Sequence, residues 1–210
     1  MNLELHKVCE EGDMTKVMEM LGRGATAYYN EGLYGACRGG HMKIARLMIL
    51  LGEDGVVNYN WALAGACSGG HMETVMLMLE LGATHYNFGL QCACGGGHME
   101  IVKLMLEKGA TDYNGGLEGA CEGGHMEIAK LMLELGATRH VHALRGVCKD
   151  GNRELVLLLL EYTTTEKIPD SYTFTRAEVA SLYQRGFSYN LTREQDKKAL
   201  QEYKHLIEVD

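Results

Sequence analysis

Four cysteine–histidine pairs are the residues of this sequence best suited to chemistry, because a thiolate and an imidazole are good zinc ligands. In each pair the histidine follows the cysteine by four positions: Cys37 and His41, Cys67 and His71, Cys94 and His98, Cys121 and His125. A glycine turn separates the two residues of every pair, and no Cys-x-x-Cys motif is present. Since the pair recurs in every middle unit of a repeat, we interpret it as structural, with the cysteine filling a small apolar slot and no metal bound.

The other patterns that would indicate catalysis are missing from the sequence. The glycine run 95–97 is not followed by Gly-Lys-Ser/Thr and follows no predicted strand, so it is not a phosphate loop. There is no nucleophile elbow, no kinase motif set and no His-Glu-x-x-His. Cys92, in Cys92-Ala93-Cys94, is an additional cysteine that we interpret as a packing residue, with a redox role as the alternative. The sequence therefore predicts a protein that is not an enzyme and needs no cofactor.

The histidines belong to an internal repeat. The element Gly-Gly-His-Met occurs four times, at residues 39–42, 69–72, 96–99 and 123–126, and its histidines are 30, 27 and 27 residues apart. Asp13, which lies 28 residues before His41, and Asn152, 27 residues after His125, occupy the histidine position in weaker copies. The pattern gives six units over residues 3–161, and both substitutes are residues that cap helix N-termini well.

Each unit is predicted to form two short helices. In the fifth unit Asn114 is expected to cap a helix over 115–121, and a glycine pair ends that helix. A second helix over 125–135 follows, ended by Gly136. Its apolar residues share one helical face: Ile128, Leu131, Met132 and Leu135. A helix pair this short cannot bury its apolar face alone, so we expect an all-α solenoid of stacked units.

The segment Gly-Gly-His-Met-Glu-Ile-Ala-Lys-Leu-Met-Leu-Glu-Leu-Gly-Ala, residues 123–137, resembles the second half of an ankyrin repeat. The resemblance implies an L-shaped helix–turn–helix stack with a curved protein-binding surface, and histidines that cap helices and hydrogen-bond between repeats. The period is 27 residues rather than the family's 33, so we expect its projecting hairpins to be shortened to tight turns such as 84–87. Such short repeats resemble those of large DNA viruses of amoebae and of some protists.

Residues 162–210 depart from the repeat, and we expect a divergent terminal repeat followed by a capping helix. A threonine run, 163–165, and Pro169 interrupt the pattern. Two capping-box signatures follow, Thr175 with Glu178 and Thr192 with Gln195. A separate effector tail is the alternative, although a repeat array needs a polar cap.

Composition limits the partners. The net charge is −8, with 28 acidic and 20 basic residues, so nucleic acid and anionic membranes are expected to be repelled. The N-terminal residues contain no apolar run of the kind that a secretory signal needs, and seven cysteines outside a secretory context are expected to be reduced. We therefore expect a cytoplasmic location, with the nucleus as the alternative.

A partner-binding surface is predicted from positions that vary between units, because repeat proteins keep packing positions constant and vary exposed ones. In the resembling family these positions line the first helices, on the concave face. The predicted site residues are Tyr34, Arg38, Trp61, Phe88, Gln91, Glu118 and Arg145. Tyr34, Trp61 and Phe88 are expected to form an apolar anchor and the others a polar surround. The alternative is that Trp61 and Phe88 fill gaps left by the shortened turns.

These observations predict an adaptor or scaffold that binds a protein or peptide and is a monomer or a weak homo-oligomer. The alternative function is a self-assembling structural component, because a short stack has exposed apolar ends and methionine-rich faces. An enzyme is the third possibility.

Overall fold

The computed structural model describes residues 2–52, 57–140, 142–143, 147, 152, 155, 158–159 and 162. The chain divides into two compact units, Met1–Arg139 and His140–Asp210. The described secondary structure is entirely helical, as predicted. The helices are α1 (Asn2–Glu11), α2 (Met14–Gly22), α3 (Tyr29–Arg38), α4 (Met42–Leu51), α5 (Tyr59–Gly69), α6 (Met72–Glu80), α7 (Tyr86–Gly96), α8 (Met99–Glu107), α9 (Tyr113–Glu122) and α10 (Met126–Glu134). A short 3₁₀ helix, Ala25–Tyr28, precedes α3.

The helices of the first unit alternate between two rows. The first helices, α1, α3, α5, α7 and α9, pack against one another in chain order, and from α3 onward each also packs on the second helix of its own repeat. The core repeats with the sequence: each first helix from α3 to α9 has a fully buried leucine and each second helix from α4 to α10 a fully buried methionine. These residues are Leu33, Leu63, Leu90 and Leu117, and Met48, Met78, Met105 and Met132. The solenoid predicted from the period is therefore confirmed.

The histidine of the Gly-Gly-His-Met element joins adjacent repeats. His98 Nε2 lies 3.1 Å from the carbonyl oxygen of Ser68 in the preceding repeat. Because a carbonyl oxygen can only accept, the Nε2–H donates. Equivalent bonds run from His41 to the Glu10 carbonyl, 3.0 Å, and from His125 to the Gly95 carbonyl, 3.2 Å. These histidines precede their helices, but their side chains make no capping bond, so the expected capping role is wrong and the inter-repeat role is confirmed.

The imidazole ring needs a glycine beneath it. Gly70 ends α5 in the left-handed region, at φ +80°, and a Cβ added there would collide with the His98 ring. The same arrangement places His41 over Gly12, His71 over Gly40 and His125 over Gly97. The second glycine of the motif thus serves both the turn and the close approach of the next repeat.

The asparagines that recur in the repeat are not the helix caps that the sequence predicted. Asn114 lies inside the first turn of α9, and its Oδ1 accepts the amide hydrogens of Thr138 and Arg139 in the next connection, both at 2.8 Å. Asn60 and Asn87 bind the following connections in the same way. The asparagine position is therefore a second inter-repeat bond, because short connections leave backbone amides that need an acceptor.

The helix caps lie elsewhere. Asn58 accepts the Trp61 amide hydrogen at 3.0 Å and Asp112 accepts that of Gly115 at 3.0 Å, so the cap stands two positions before the repeated asparagine. Asp13 caps α2 through the Lys16 amide hydrogen, as predicted for the first unit.

The described residues of the second unit are few. Val147, Leu155 and Leu159 are buried and helical, and Asn152 accepts the Leu155 amide hydrogen at 3.3 Å, which confirms its predicted capping role. The calls on residues 163–210, including both capping boxes and the terminal helix, lie outside the described residues. So does most of the longer connection after α4, at 53–56.

Gly70→Ala is expected to lower the free energy of unfolding by more than Gly82→Ala. Both glycines have positive φ, +80° and +95°, so alanine costs about 1–2 kcal/mol of backbone strain at either site. Only at Gly70 would the methyl group also meet the His98 ring, since nothing lies within 4 Å of a Cβ at Gly82. Urea unfolding of the two variants measures the difference.

The second half of the same test is a double-mutant cycle. Adding His98→Ala to Gly70→Ala removes the ring that the methyl group meets, so the combined loss is expected to be smaller than the sum of the single losses. Additive losses, or equal losses for Gly70→Ala and Gly82→Ala, would contradict the ring-on-glycine contact.

Candidate protein-binding surface

The predicted site residues lie on successive first helices, and we call the side chains that these helices leave accessible the first-helix surface. Tyr34 and Arg38 are on α3, Trp61 on α5, Phe88 and Gln91 on α7, and Glu118 on α9. Arg145 lies outside the described residues. Because the first helices pack side by side in chain order, the surface crosses the whole unit, one repeat after another.

Tyr34 and Trp61 stack on one another. Their ring centroids are 4.9 Å apart with an interplanar angle of 26°, and both side chains are half-buried. His6 also stacks on Tyr34, with ring centroids 5.3 Å apart and an interplanar angle of 23°. We call His6, Tyr34 and Trp61 the aromatic stack. Offset-stacked rings of this kind contribute about 0.5–1.5 kcal/mol beyond the area they bury.

Small residues in the third repeat allow the stack to form. A Cβ at Gly65 would lie 3.1 Å from Cδ2 of Tyr34, so the absence of a side chain there leaves room for the tyrosine ring. The position equivalent to Tyr34 in this repeat is Ala64, which is buried and small. Trp61 lies three residues earlier, on the same helical face as Ala64.

Phe88 is placed apart from the other two aromatic residues. Its side chain is 48% exposed, and the described ring contacts do not join it to Trp61. It lies at a shallow groove, whose other lining residues are Thr84, His85, Tyr86, Asn87 and Gly109. The structure therefore brings together two members of the predicted anchor, whereas Phe88 lies beside residues 84–87 and remains exposed.

Charges border the aromatic stack at its N-terminal end. Arg38 Nε lies 3.5 Å from Glu10 Oε1, and His6 Nε2 lies 3.2 Å from Glu10 Oε2. Arg38 and Glu10 are 44% and 34% exposed, so this pair is solvated and adds little to stability. Burial raises the pKa of the Tyr34 hydroxyl while Arg38 lowers it, and the net shift is upward, so the phenol stays protonated at neutral pH.

His6 and Glu10 were missed as site residues in the sequence, although the period contains the signal. His6 lies 28 residues before Tyr34, and Glu10 lies 28 residues before Arg38, the same interval that separates Asp13 from His41. The first unit lacks the Gly-Gly-His-Met element, so its surface positions are less apparent than those of the internal repeats.

After Trp61 the described part of the first-helix surface has no further stacked rings, and its polarity differs from helix to helix. Gln91 is half-buried on α7, and Cys92 beside it takes a position that is glycine in the neighbouring repeats, at Gly65 and Gly119. Helices α5 and α7 contain no charged residue, whereas the charged residues of α9 are Glu118 and Glu122. Neither glutamate forms an ion pair within the described part of the chain.

The repeated cysteines are core residues. Cys37, Cys67, Cys94 and Cys121 are buried, and a Cβ at Gly89 would contact the Cys67 sulfur at 3.4 Å, so the thiol packs against the next repeat's first helix. Burial raises the pKa of the Cys37 and Cys94 thiols to about 12, which keeps them neutral. Within the described residues no three histidine, cysteine, aspartate or glutamate side chains are grouped so that they could hold a metal ion.

The geometry defines the class of fold as a solenoid of helix–turn–helix repeats joined by side-chain to backbone bonds. Comparison with solved structures identifies it further: the crystal structure of the human ASB11 ankyrin repeat domain matches with a TM-score of 0.53 and 23% identity, over 88% of this chain and 99% of that chain. No protein-family model and no curated protein matches the sequence. The chain therefore has the ankyrin-repeat fold, which confirms the resemblance inferred from residues 123–137.

The buried thiols predict a pH dependence of stability. Unfolded thiols lose their protons above about pH 9, whereas folded Cys37 and Cys94 keep theirs until about pH 12. The unfolded state then binds fewer protons, so the free energy of unfolding is expected to fall as the pH rises above 9, by up to about 1.4 kcal/mol per pH unit for each thiol.

Urea unfolding between pH 7.5 and 10.5 at constant ionic strength measures this slope. Cys37→Ala/Cys94→Ala is the matched variant, in which two contributions are removed and the fall with pH should be shallower. An identical slope in both proteins would contradict the assignment of these thiols as buried and neutral.

Proposed function

We propose that this chain is a non-catalytic protein-binding module that presents the first-helix surface, on the concave side of the repeat stack, to a protein or peptide. The observation that carries the proposal is the aromatic stack, whose side chains are half-buried on a surface of packed helices. Large planar side chains contribute more to protein interfaces than other residues do, and rings already stacked lose little freedom when a partner binds.

The frame beneath this surface supports the same proposal. The repeat-to-repeat bonds of His98 and Asn87 do not involve Tyr34 or Trp61, so the residues at these two positions can differ between repeats while the bonds are kept. A constant frame with a variable surface is how repeat proteins acquire specific partners. An enzyme is not proposed, because the described residues offer no group of acid, base and nucleophile outside the repeated packing positions.

The partner is proposed to be protein rather than nucleic acid or lipid. A net charge of −8 disfavours both phosphate backbones and anionic membranes. None of the helices in the described ranges combines the length and the hydropathy that a membrane span needs.

Self-assembly is the weaker candidate. The exposed apolar side chains of the second helices include Met18, Leu50 and Met76, one on each of α2, α4 and α6. Scattered exposed apolar residues are normal on monomeric proteins. We therefore expect a monomer, and sedimentation equilibrium from about 1 to 100 μM should give the mass of one 23.2 kDa chain throughout. A mass that rises towards a multiple would favour assembly.

The binding site is tested by substitution. Tyr34→Ala/Trp61→Ala is expected to lower the affinity for a partner by about 30-fold or more, since a single aromatic anchor contributes about 2 kcal/mol or more to binding. Phe88→Ala separately tests whether the groove on α7 belongs to the site. Partners are captured on the full chain from extract of its native cell, identified by mass spectrometry, and then measured as purified proteins by calorimetry.

Met76→Ala/Leu81→Ala is the matched control, because it also removes two partly exposed apolar side chains, but on α6 and at its C-cap, among the second helices. Circular dichroism confirms that each variant is folded before binding is compared. A partner held equally by Tyr34→Ala/Trp61→Ala and by the unmodified chain would place the site elsewhere and overturn the proposal.

A further inference from the structure

The middle of the repeat array lacks lysine and arginine. From Leu47 to Val102 the sequence contains no lysine and no arginine, while its acidic residues are Glu53, Asp54, Glu73, Glu80 and Glu100. This stretch supplies α5 to α7, the helices that follow Tyr34 on the first-helix surface. A partner that approaches Trp61 from this side therefore meets no positive charge from the middle repeats.

The nearest arginine does not reverse this balance. Arg38 lies on α3, and its guanidinium is held 3.5 Å from the Glu10 carboxylate. On the other side, α9 presents Glu118 and Glu122, and neither is ion-paired with any residue that the structure describes. The first-helix surface thus has an aromatic face at α5, an uncharged section at α7 and two carboxylates at α9.

We infer, on the basis of the proposed function, that the partner segment bound on this surface is basic. A guanidinium stacks on the face of a tryptophan through a cation–π interaction, and Trp is the strongest partner for it. A second lysine or arginine pairs with Glu118 or Glu122. An acidic segment would be repelled by both glutamates and by the charge of the whole chain.

The repeat spacing sets the distance between the two basic residues. Packed helices lie about 8–10 Å apart, so α5 and α9, separated by α7, are about 16–20 Å apart. An extended peptide advances about 3.3 Å per residue. The two positive side chains should therefore be about five or six residues apart, with small or polar residues between them over Gln91 and Cys92.

A random 12-residue peptide library displayed on phage, selected against the full chain, tests the inference. The selected peptides are expected to be enriched in pairs of arginine or lysine with the spacing given above. Synthetic, fluorescein-labelled copies of the enriched peptides are then titrated with the chain, and binding is followed by fluorescence anisotropy. Affinity is expected to weaken as salt is raised, since the pairs with Glu118 and Glu122 are solvated.

Glu118→Gln/Glu122→Gln is the decisive variant, because it removes two charges and keeps the shape of both side chains. It is expected to weaken peptide binding about three- to tenfold, whereas Glu73→Gln/Glu100→Gln, which removes the same charge from α6 and α8, should change it less than about twofold. Trp61→Ala should also weaken binding.

The outcomes separate the inference from the proposed function. Neutral or acidic peptides that bind the chain and are lost in Tyr34→Ala/Trp61→Ala would overturn the basic partner and leave the binding surface in place. Basic peptides that bind Glu118→Gln/Glu122→Gln and the unmodified chain equally would also overturn it. If no peptide is selected, or if every selected peptide binds Tyr34→Ala/Trp61→Ala undiminished, both the inference and the proposed surface fail.

Discussion

The contact between an imidazole and the glycine of the preceding repeat is the interaction on which the rest of the structure depends. His98 lies over Gly70, whose positive φ ends α5, and donates from Nε2 to the Ser68 carbonyl oxygen 3.1 Å away. Any side chain at Gly70 would hold the two repeats apart. His98, Gly70 and Ser68 therefore fix together the end of α5, the start of α8 and the separation of neighbouring repeats.

The distance between neighbouring repeats determines which side chains of the first-helix surface can contact one another. The first helices approach so closely that a Cβ at Gly65 would lie 2.7 Å from the Tyr34 carbonyl oxygen. At this spacing, aromatic side chains on adjacent first helices are within stacking distance, as His6, Tyr34 and Trp61 show. The short period leaves this row of first helices as the variable surface, which is why we propose partner binding there.

Much of the fold could be predicted from the sequence, because its signals are local and repeated. The apolar periodicity and the glycines predicted α10 over 125–135, and the structure has it at Met126–Glu134. The cap assignment was wrong because Asn114 and Asp112 are both good capping residues, and the choice between them depends on a distant group. Asn114 is taken by the amides of Thr138 and Arg139, which only the next repeat brings near.

The candidate site was harder to predict than the fold, because it depends on how single side chains fill space. Variation between repeats placed the candidate residues on the first helices, but it did not show that Trp61 would stack on Tyr34 while Phe88 would remain exposed. Gly65 leaves room for the Tyr34 ring, an effect that is visible only when the neighbouring helices are in place. His6 and Glu10 complete the surface from a unit whose repeat signature is weak.

The central claim is that this surface is preorganised, with Trp61 held on Tyr34 before any partner arrives. Time-resolved fluorescence anisotropy of Trp61, the single tryptophan of the chain, tests it directly. We expect the anisotropy of the free protein to decay almost entirely with the tumbling of the molecule, with only a small local component. A large nanosecond or faster local component would show that the indole is not held by the stack, and would contradict the account.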